Sequence, residues 1–273
     1  MPKFIINKYE PKINFCGLKK LDKDTFESEM QNVDLKLYNP YTMKNCSQNI
    51  QINLNEPQII VLDKCNLTLD YDPKRIDYIT DKIQNKKIKV NIIKSEKPNK
   101  AVFYFMSPDL KKEYGYTYLS KVQNKNIYEH SYIFEELLED YPEVGITGPR
   151  VIVEYTQNWN DKKFGGIGKL ADKMAVKYCL DNDIDFNIIS LADKGSHIAH
   201  FKRGKRFLPL DSYERKLYSN LYGSYDLNKI LEQLLFEAEK NESTVNIGNW
   251  GMKAIYMPKN IAQKYLSEIE NIQ

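Results

Sequence analysis

The stretch Arg150 to Thr156 (RVIVEYT) reads as a strand. After a polar loop the chain reaches Lys163-Phe164-Gly165-Gly166-Ile167-Gly168, and a strongly patterned helix starts at Ile167. That order of residue types has a chemical use. The first N–H groups of a helix have no partner within it, and its aligned peptide dipoles place partial positive charge there. Glycines let the backbone come close to a bound group, so amides alone can grip a phosphate. Lys163 and Lys169 can add charge, although each also suits an ordinary solvated surface. Glu154, on the strand, and His200, with His197 beside it, are nearby side chains able to exchange protons. The plainer readings are a strand carboxylate facing solvent and histidines that pack or cap.

Three kinds of phosphate loop compete for this segment. A P-loop requires G-x-x-x-x-G-K-[ST]. Gly168-Lys169 fits its end, but Lys163 occupies the first glycine position and Leu170 the hydroxyl position. Gly166, Gly168 and Ala171 spell the dinucleotide fingerprint G-x-G-x-x-A, and Asp185 follows at a suitable distance. In that fold, however, the strand runs directly into the first glycine, whereas here a polar loop follows Thr156.

The third kind belongs to the GNAT N-acyltransferases, which this segment resembles. That family carries [Q/R]-x-x-G-x-[G/A] between its fourth strand and third helix; here Lys163 to Gly168 match, with Lys in the first place. The helix and strand that follow have the family's lengths. Leu191 to Phe207 fits its short helix and aromatic ending, with Phe201 and Phe207 in aromatic positions and Arg203 where a lysine is usual. Lys202 falls where the family usually has its catalytic tyrosine. The resemblance covers residues 150–207, and also 101–120 if those are the second and third strands of that fold.

The resemblance implies an acyl-CoA co-substrate, acetyl-CoA above all, and an amine acceptor that attacks the thioester directly. It implies that the fourth and fifth strands part, with pantetheine in the gap lined by Val153, Tyr155 and Thr156. Lys163, Phe164, Gly165, Gly166, Ile167, Gly168 and Lys169 would hold the pyrophosphate, and Ser196 would reach the coenzyme or, more plainly, cap the short helix. Glu154 would then be the base and His200 the acid. Two other readings stay open: a GNAT-like binding module without catalysis, and a dinucleotide enzyme resting on G-x-G-x-x-A alone. The basic run Lys202-Arg203-Gly204-Lys205-Arg206 reads as a solvated turn in preference to a phosphate or RNA contact.

These residues need a scaffold. The 273 residues are 42% hydrophobic, enough for a sizeable core. The expected class is α/β (α+β): a mixed, mostly antiparallel central sheet flanked by helices. Ala101–Met106 and Tyr114–Ser120 read as antiparallel strands, Gln58–Leu62, Leu67–Leu69 and Ile88–Lys94 as further strands, and Phe186–Leu191 as the strand after the helix. Pro73 is expected to open a helix with Ile76, Ile79 and Ile83 on one face. Helices are also expected over 131–140, after Asp226 and after Pro258, with a strand at Met252–Met257. In the helix from Ile167, Leu170, Ala171, Met174 and Tyr178 form the apolar stripe, and Asp172, Lys173 and Lys177 fall off it.

The polar stretch Ser95–Lys100 suggests two parts, an N-terminal α/β region of unknown role at 1–97 and the acyl-CoA domain at 98–273. Forty basic and 37 acidic residues leave a net charge of +3, which makes no case for nucleic acid. No apolar run is long enough for a membrane helix, and the N-terminal one is too short for a secretory signal. Four cysteines without a C-x-x-C pair read as free thiols in a reducing cytoplasm, and no metal pattern is present.

Overall fold

The computed structural model describes residues 30–123, 137–193, 195–245, 247 and 250–270. Its first strands, β1 (Met30–Asn39) and β2 (Lys44–Asn53), form an antiparallel hairpin. In β1, Val33, Leu35 and Leu37 are buried and the residues between them exposed, the period of two that a half-buried strand imposes.

Next come β3 (Gln58–Leu62), β4 (Leu67–Asp81), β5 (Lys86–Lys97), β6 (Lys100–Met106), β7 (Glu113–Val122) and β8 (Arg150–Asn158). From β4 through β8, each pairs antiparallel with its predecessor. The short β9 (Phe164–Gly165) leads into α1 (Ile167–Asp181), followed by β10 (Ile188–Ala192), α2 (His197–Lys202) and β11 (Arg206–Phe207). Last are α3 (Ser212–Tyr222), α4 (Leu227–Lys240), β12 (Lys253–Tyr256) and α5 (Lys259–Glu270).

One ten-stranded sheet runs β11-β12-β10-β8-β7-β6-β5-β4-β3, with β9 added to the end of β4. The β10–β8 pair is parallel and every other described pair antiparallel, so the sheet is mixed and mostly antiparallel as the sequence predicts. The center of the sheet is buried on both faces, as the unbroken burial from Ala101 to Met106 requires. On one face Phe103, Phe105, Leu119, Val151 and Val153 pack against α1 and α5. On the other, Tyr71, Tyr104, Met106 and Tyr116 pack under the β1–β2 hairpin. A third cluster around Phe207, Trp250, Leu227 and Leu231 seats α3 and α4.

Three expectations are corrected. Residues after Pro73 do not form a helix; they belong to β4, whose ladder with β5 shifts register between Asp72 and Ile76. The bulge accommodates Pro73, which has no N–H to give a ladder. Beyond it the pattern has period two, with Ile79 and Asp81 buried and Tyr78 exposed, and Ile83 lies exposed in the turn after the strand. The stretch Ser95–Lys100 contains the tight turn between β5 and β6, and the sheet continues across it. Finally, Cys46 and Cys65 are joined in a disulfide that ties β2 to the turn after β3, with Cα atoms 6.0 Å apart. The reading of free thiols fails for these two, and the inference of a reducing compartment loses that support. Cys179 is free and buried in the α1 core, and burial raises its thiol pKa. Cys16 and most of the expected helix at 131–140 lie outside the described residues.

The disulfide closes a loop of 19 residues. Closing a loop of that order contributes about 3 kcal/mol by chain entropy. Thiol titration of the unreduced, denatured chain is therefore expected to find two of the four thiols, and all four after reduction. Four thiols without reductant would refute the bond.

Candidate functional site

The site begins where β8 and β10 part. Their parallel ladder consists of Val151–Ile188, Ile152–Ile189 and Val153–Ser190. Past those pairs β8 runs on to Asn158 alongside β7 alone, and β10 runs on to Ala192 alongside β12. A wedge therefore opens beyond Val153 and Ser190. At its apex β8 carries a bulge. Tyr155 pairs with Tyr118 and Val153 with Leu119, leaving Glu154 as the extra residue. A bulge leaves its residue out of the ladder and re-aims its side chain. Here the Glu154 carboxylate accepts a hydrogen bond from the Ser120 hydroxyl on β7. Val153 packs into the α1 core, Tyr155 is half exposed with its hydroxyl donating to Gln157, and the Thr156 hydroxyl meets that of Thr117 at 3.1 Å.

The glycine loop is held to the edge of the sheet. Gly165 and Phe164 pair with Thr80 and Asp81 of β4, and the Phe164 ring stacks edge-on against Tyr114 at 4.8 Å, deep in the core. Ile167 is likewise a core residue. Both side chains face away from any ligand, so only backbone atoms of these two can serve one. Gly166 caps α1 at φ +97°, in the left-handed region that favours glycine. Lys163 pairs with Asp81 at 3.8 Å and Lys169 with Glu268 at 2.9 Å, so both lysines are engaged in ion pairs.

The positive charge at this helix end comes from elsewhere. Any Cβ on Gly168 would lie 3.0 Å from the Arg203 guanidinium, which therefore rests against the first turn of α1. Arg203 donates to Asp172 at 2.8 Å, and the Lys205 ammonium meets the other oxygen of Asp172 at 2.7 Å. Lys205 also approaches the Ser190 hydroxyl at 3.5 Å. A polar chain thus runs from Ser190, at the apex of the wedge, through Lys205 and Asp172 to Arg203, whose guanidinium rests against Gly168. Burial lowers the pKa of Lys205, and Asp172 opposes the shift. Two basic groups share this one carboxylate, and a guanidinium does not deprotonate in proteins.

His200 belongs to the same cluster. Its Nδ1 lies 2.8 Å from an Arg203 nitrogen, which can only donate, so Nδ1 accepts and Nε2 carries the proton. Burial first, then the charges of Lys205 and Arg203, hold its pKa far below the usual range. The ring is neutral at physiological pH and offers a hydrogen bond from Nε2. His197 is fully buried between Phe207 and Trp250. Ser196 opens α2 without capping it; its hydroxyl donates to the Asp193 carbonyl.

The structure thus brings Gly168 and His200 together through Arg203, and places Glu154 at the wedge. It leaves Lys163, Lys169 and Ser196 occupied by local partners. Sequence reasoning missed Asp172, Arg203 and Lys205. The basic run is a turn at 203–204 with Lys202 exposed, but it is not solvated throughout: Lys205 is 2% exposed, and Asp172, off the apolar stripe of the helix, is also 2% exposed. The signal was their combination: one acidic residue a turn after the glycine loop, and a basic pair around Gly204.

No family model and no curated protein matches the chain. Among solved structures, a CoA-dependent acyl-homoserine lactone synthase bound to SAM and isopentyl-CoA matches with a TM-score of 0.34 and 9% identity. The match covers 64% of this chain and 66% of that one, just short of two thirds of its length.

Asp172→Asn is expected to leave Lys205 as an uncompensated buried cation and to cost about 3–5 kcal/mol in urea unfolding. Adding Lys205→Met should recover much of that loss. A cost below about 1 kcal/mol for the single change would mean the pair is not a buried ion pair.

Proposed function

We propose that the protein transfers an acyl group from a CoA thioester to an amine. The observation that carries this reading is the wedge between β8 and β10, joined by a polar chain to a helix end that carries cationic charge. A cation beside a helix N-terminus is unfavourable unless an anion accompanies both. Asp172 supplies one negative charge for Arg203 and Lys205. A diphosphate at the first turn of α1 would supply the rest. Amides of Gly168 and Lys169 and the Arg203 guanidinium would hold it, with the pantetheine arm running into the wedge past Val153 and Thr156.

The chemistry follows from the apex. The neutral amine nitrogen attacks the thioester carbon, a C–N bond forms, and the carbonyl oxygen takes the electron pair. Backbone N–H groups freed at the β8 bulge are suited to stabilise that oxyanion, a large term in acyl transfer. Collapse breaks the C–S bond and CoA leaves as the thiolate. Glu154, held by Ser120, takes the amine proton. His200, being neutral, contributes a hydrogen bond and not a proton. The acetyl group and the nature of the amine belong to the proposal as its simplest form. One observation favours a second reading, a coenzyme-binding module without turnover: neither of the described histidines beside the basic cluster is placed to protonate a leaving group.

Calorimetric titration with CoA tests the site. Saturable binding is expected, weakened at least tenfold by Arg203→Met, since hydrogen bonds to a charged group contribute about 1.5–3 kcal/mol. No binding at millimolar CoA would end the acyl-CoA reading. Glu154→Gln is expected to leave CoA affinity intact. Turnover should fall roughly 10²–10⁴-fold. Full turnover in that variant would exclude Glu154 as the base.

A further inference from the structure

An open cavity of about 310 Å³ lies away from the wedge and is lined by Lys36, Tyr38, Asn45, Glu113 and Trp159 among others. Its floor is the Glu113 carboxylate at the start of β7. One oxygen accepts from the Trp159 indole N–H at 2.5 Å, and the other from the Tyr38 backbone N–H at 3.0 Å. Each carboxylate oxygen keeps acceptor capacity beyond that single bond. Among the described residues no cationic side chain lies within ion-pair distance of Glu113. Lys36, at the rim, is turned to Asp34 at 3.1 Å, and Lys112 sits over the rings of Tyr114 and Phe164.

The walls are aromatic. The Tyr38 and Trp159 rings meet edge-on at 5.9 Å, and both pack on Tyr116, at 5.7 and 5.9 Å. Ring faces attract cations, and more strongly where water is excluded. A half-buried carboxylate set beside aromatic rings without a counter-charge is costly to the folded chain. It becomes favourable when a cation arrives with its own apolar substituents.

We propose that this cavity binds a small organic ammonium ion, with Glu113 pairing with the charge and the rings of Tyr38 and Trp159 flanking its carbon atoms. The proposal is independent of acyl transfer at the wedge. Burial pushes the Glu113 pKa up to about 7, against the opposing pull of the Trp159 and Tyr38 hydrogen bonds. The groups facing it are Lys36 and Tyr38 of β1, Tyr104 of β6, and Tyr116 of β7. Tyr104 and Tyr116 have pKa values raised well above neutrality, so only Glu113 titrates near pH 7 among these partners with resolved shifts. Binding should therefore strengthen as pH rises through about 7, where the carboxylate is freed of its proton.

The test titrates choline, agmatine and butylammonium into the full chain at pH 6 and pH 8, following tryptophan fluorescence and calorimetric heat. Saturable binding of at least one probe, tighter at pH 8, is expected. Glu113→Gln should weaken it at least tenfold and remove the pH dependence, while an unchanged circular dichroism spectrum shows that the fold persists. Trp159→Phe should abolish the fluorescence response and leave a weaker calorimetric one. Failure of all three probes to bind at millimolar concentration, or binding that Glu113→Gln does not change, would overturn the proposal. CoA titration of Glu113→Gln should match the parent chain, so the two sites fail or succeed separately.

Discussion

Three residue pairs hold β8 to β10, and they are the parallel seam of an otherwise antiparallel sheet. On one side lie β3 to β8, each antiparallel to the next, with short turns joining β3 to β7 and residues 123–149 connecting β7 to β8. On the other lie β10, β12 and β11, reached through α1. Such a short seam cannot bind the halves by its own hydrogen bonds. Packing does it: α1 lies across Val151 and Val153 on one side and Ile188 on the other, and α5 closes over α1 with Ala262 and Tyr265. Because apolar burial carries the join, the ladder is free to end early. The opening beyond Val153 costs few backbone hydrogen bonds, since β7 and β12 still satisfy the outer edges of the parted strands.

The same helix explains the charge distribution. An α-helix that packs its apolar stripe on a sheet ordinarily turns its charges to water. Here Asp172 and Lys173 are both buried, the first against Arg203 and Lys205, the second against Asp77 and Glu268. The Lys173 cluster balances two carboxylates, Asp77 and Glu268, with two ammonium groups, Lys173 and Lys169, while the Asp172 cluster has two bases for one carboxylate. The imbalance toward positive charge therefore sits at the end of α1 where the glycine loop brings backbone amides. Salt bridges buried this deeply contribute little net stability. What they fix is position, in this case the placement of Arg203 beside Gly168.

Much of this was legible in the sequence where local rules agree with the tertiary environment. The strand at 150–156, the glycine loop, the helix from Ile167 and the amphipathic helices after Asp226 and Pro258 all emerged close to their observed bounds. Asp226 caps its helix by accepting from Asn228 and Lys229, as its residue type suggests. The failures have physical causes. Pro73 was read as a helix opener because a proline suits both a first helical turn and a bulge, and only the ladder with β5 distinguishes them. The helix at Ser212–Tyr222 went unread although Asp211 and Glu214 carry its capping signal, because its exposed tyrosines and leucines blur the apolar stripe. The disulfide could not be read from spacing, since cysteines 19 residues apart approach only when the hairpin folds onto the sheet.

The site was legible in outline and not in its electrostatics. Lysines next to the glycine loop looked like the source of positive charge, yet Lys163 and Lys169 find carboxylates on neighbouring elements, Asp81 and Glu268. The charge arrives instead from Arg203 and Lys205, distant in sequence and brought in by the turn after α2. That substitution alters the chemistry open to His200. Burial and the neighbouring Lys205 and Arg203 keep the imidazole neutral, so in the proposed reaction the amine proton passes to Glu154 or solvent. A thiolate is a good enough leaving group to depart without a protein acid, while an ammonium cannot attack until something takes its proton. The demand for a base is stricter than the demand for an acid, and the strand that opens the wedge carries its carboxylate in the bulge where the two strands separate.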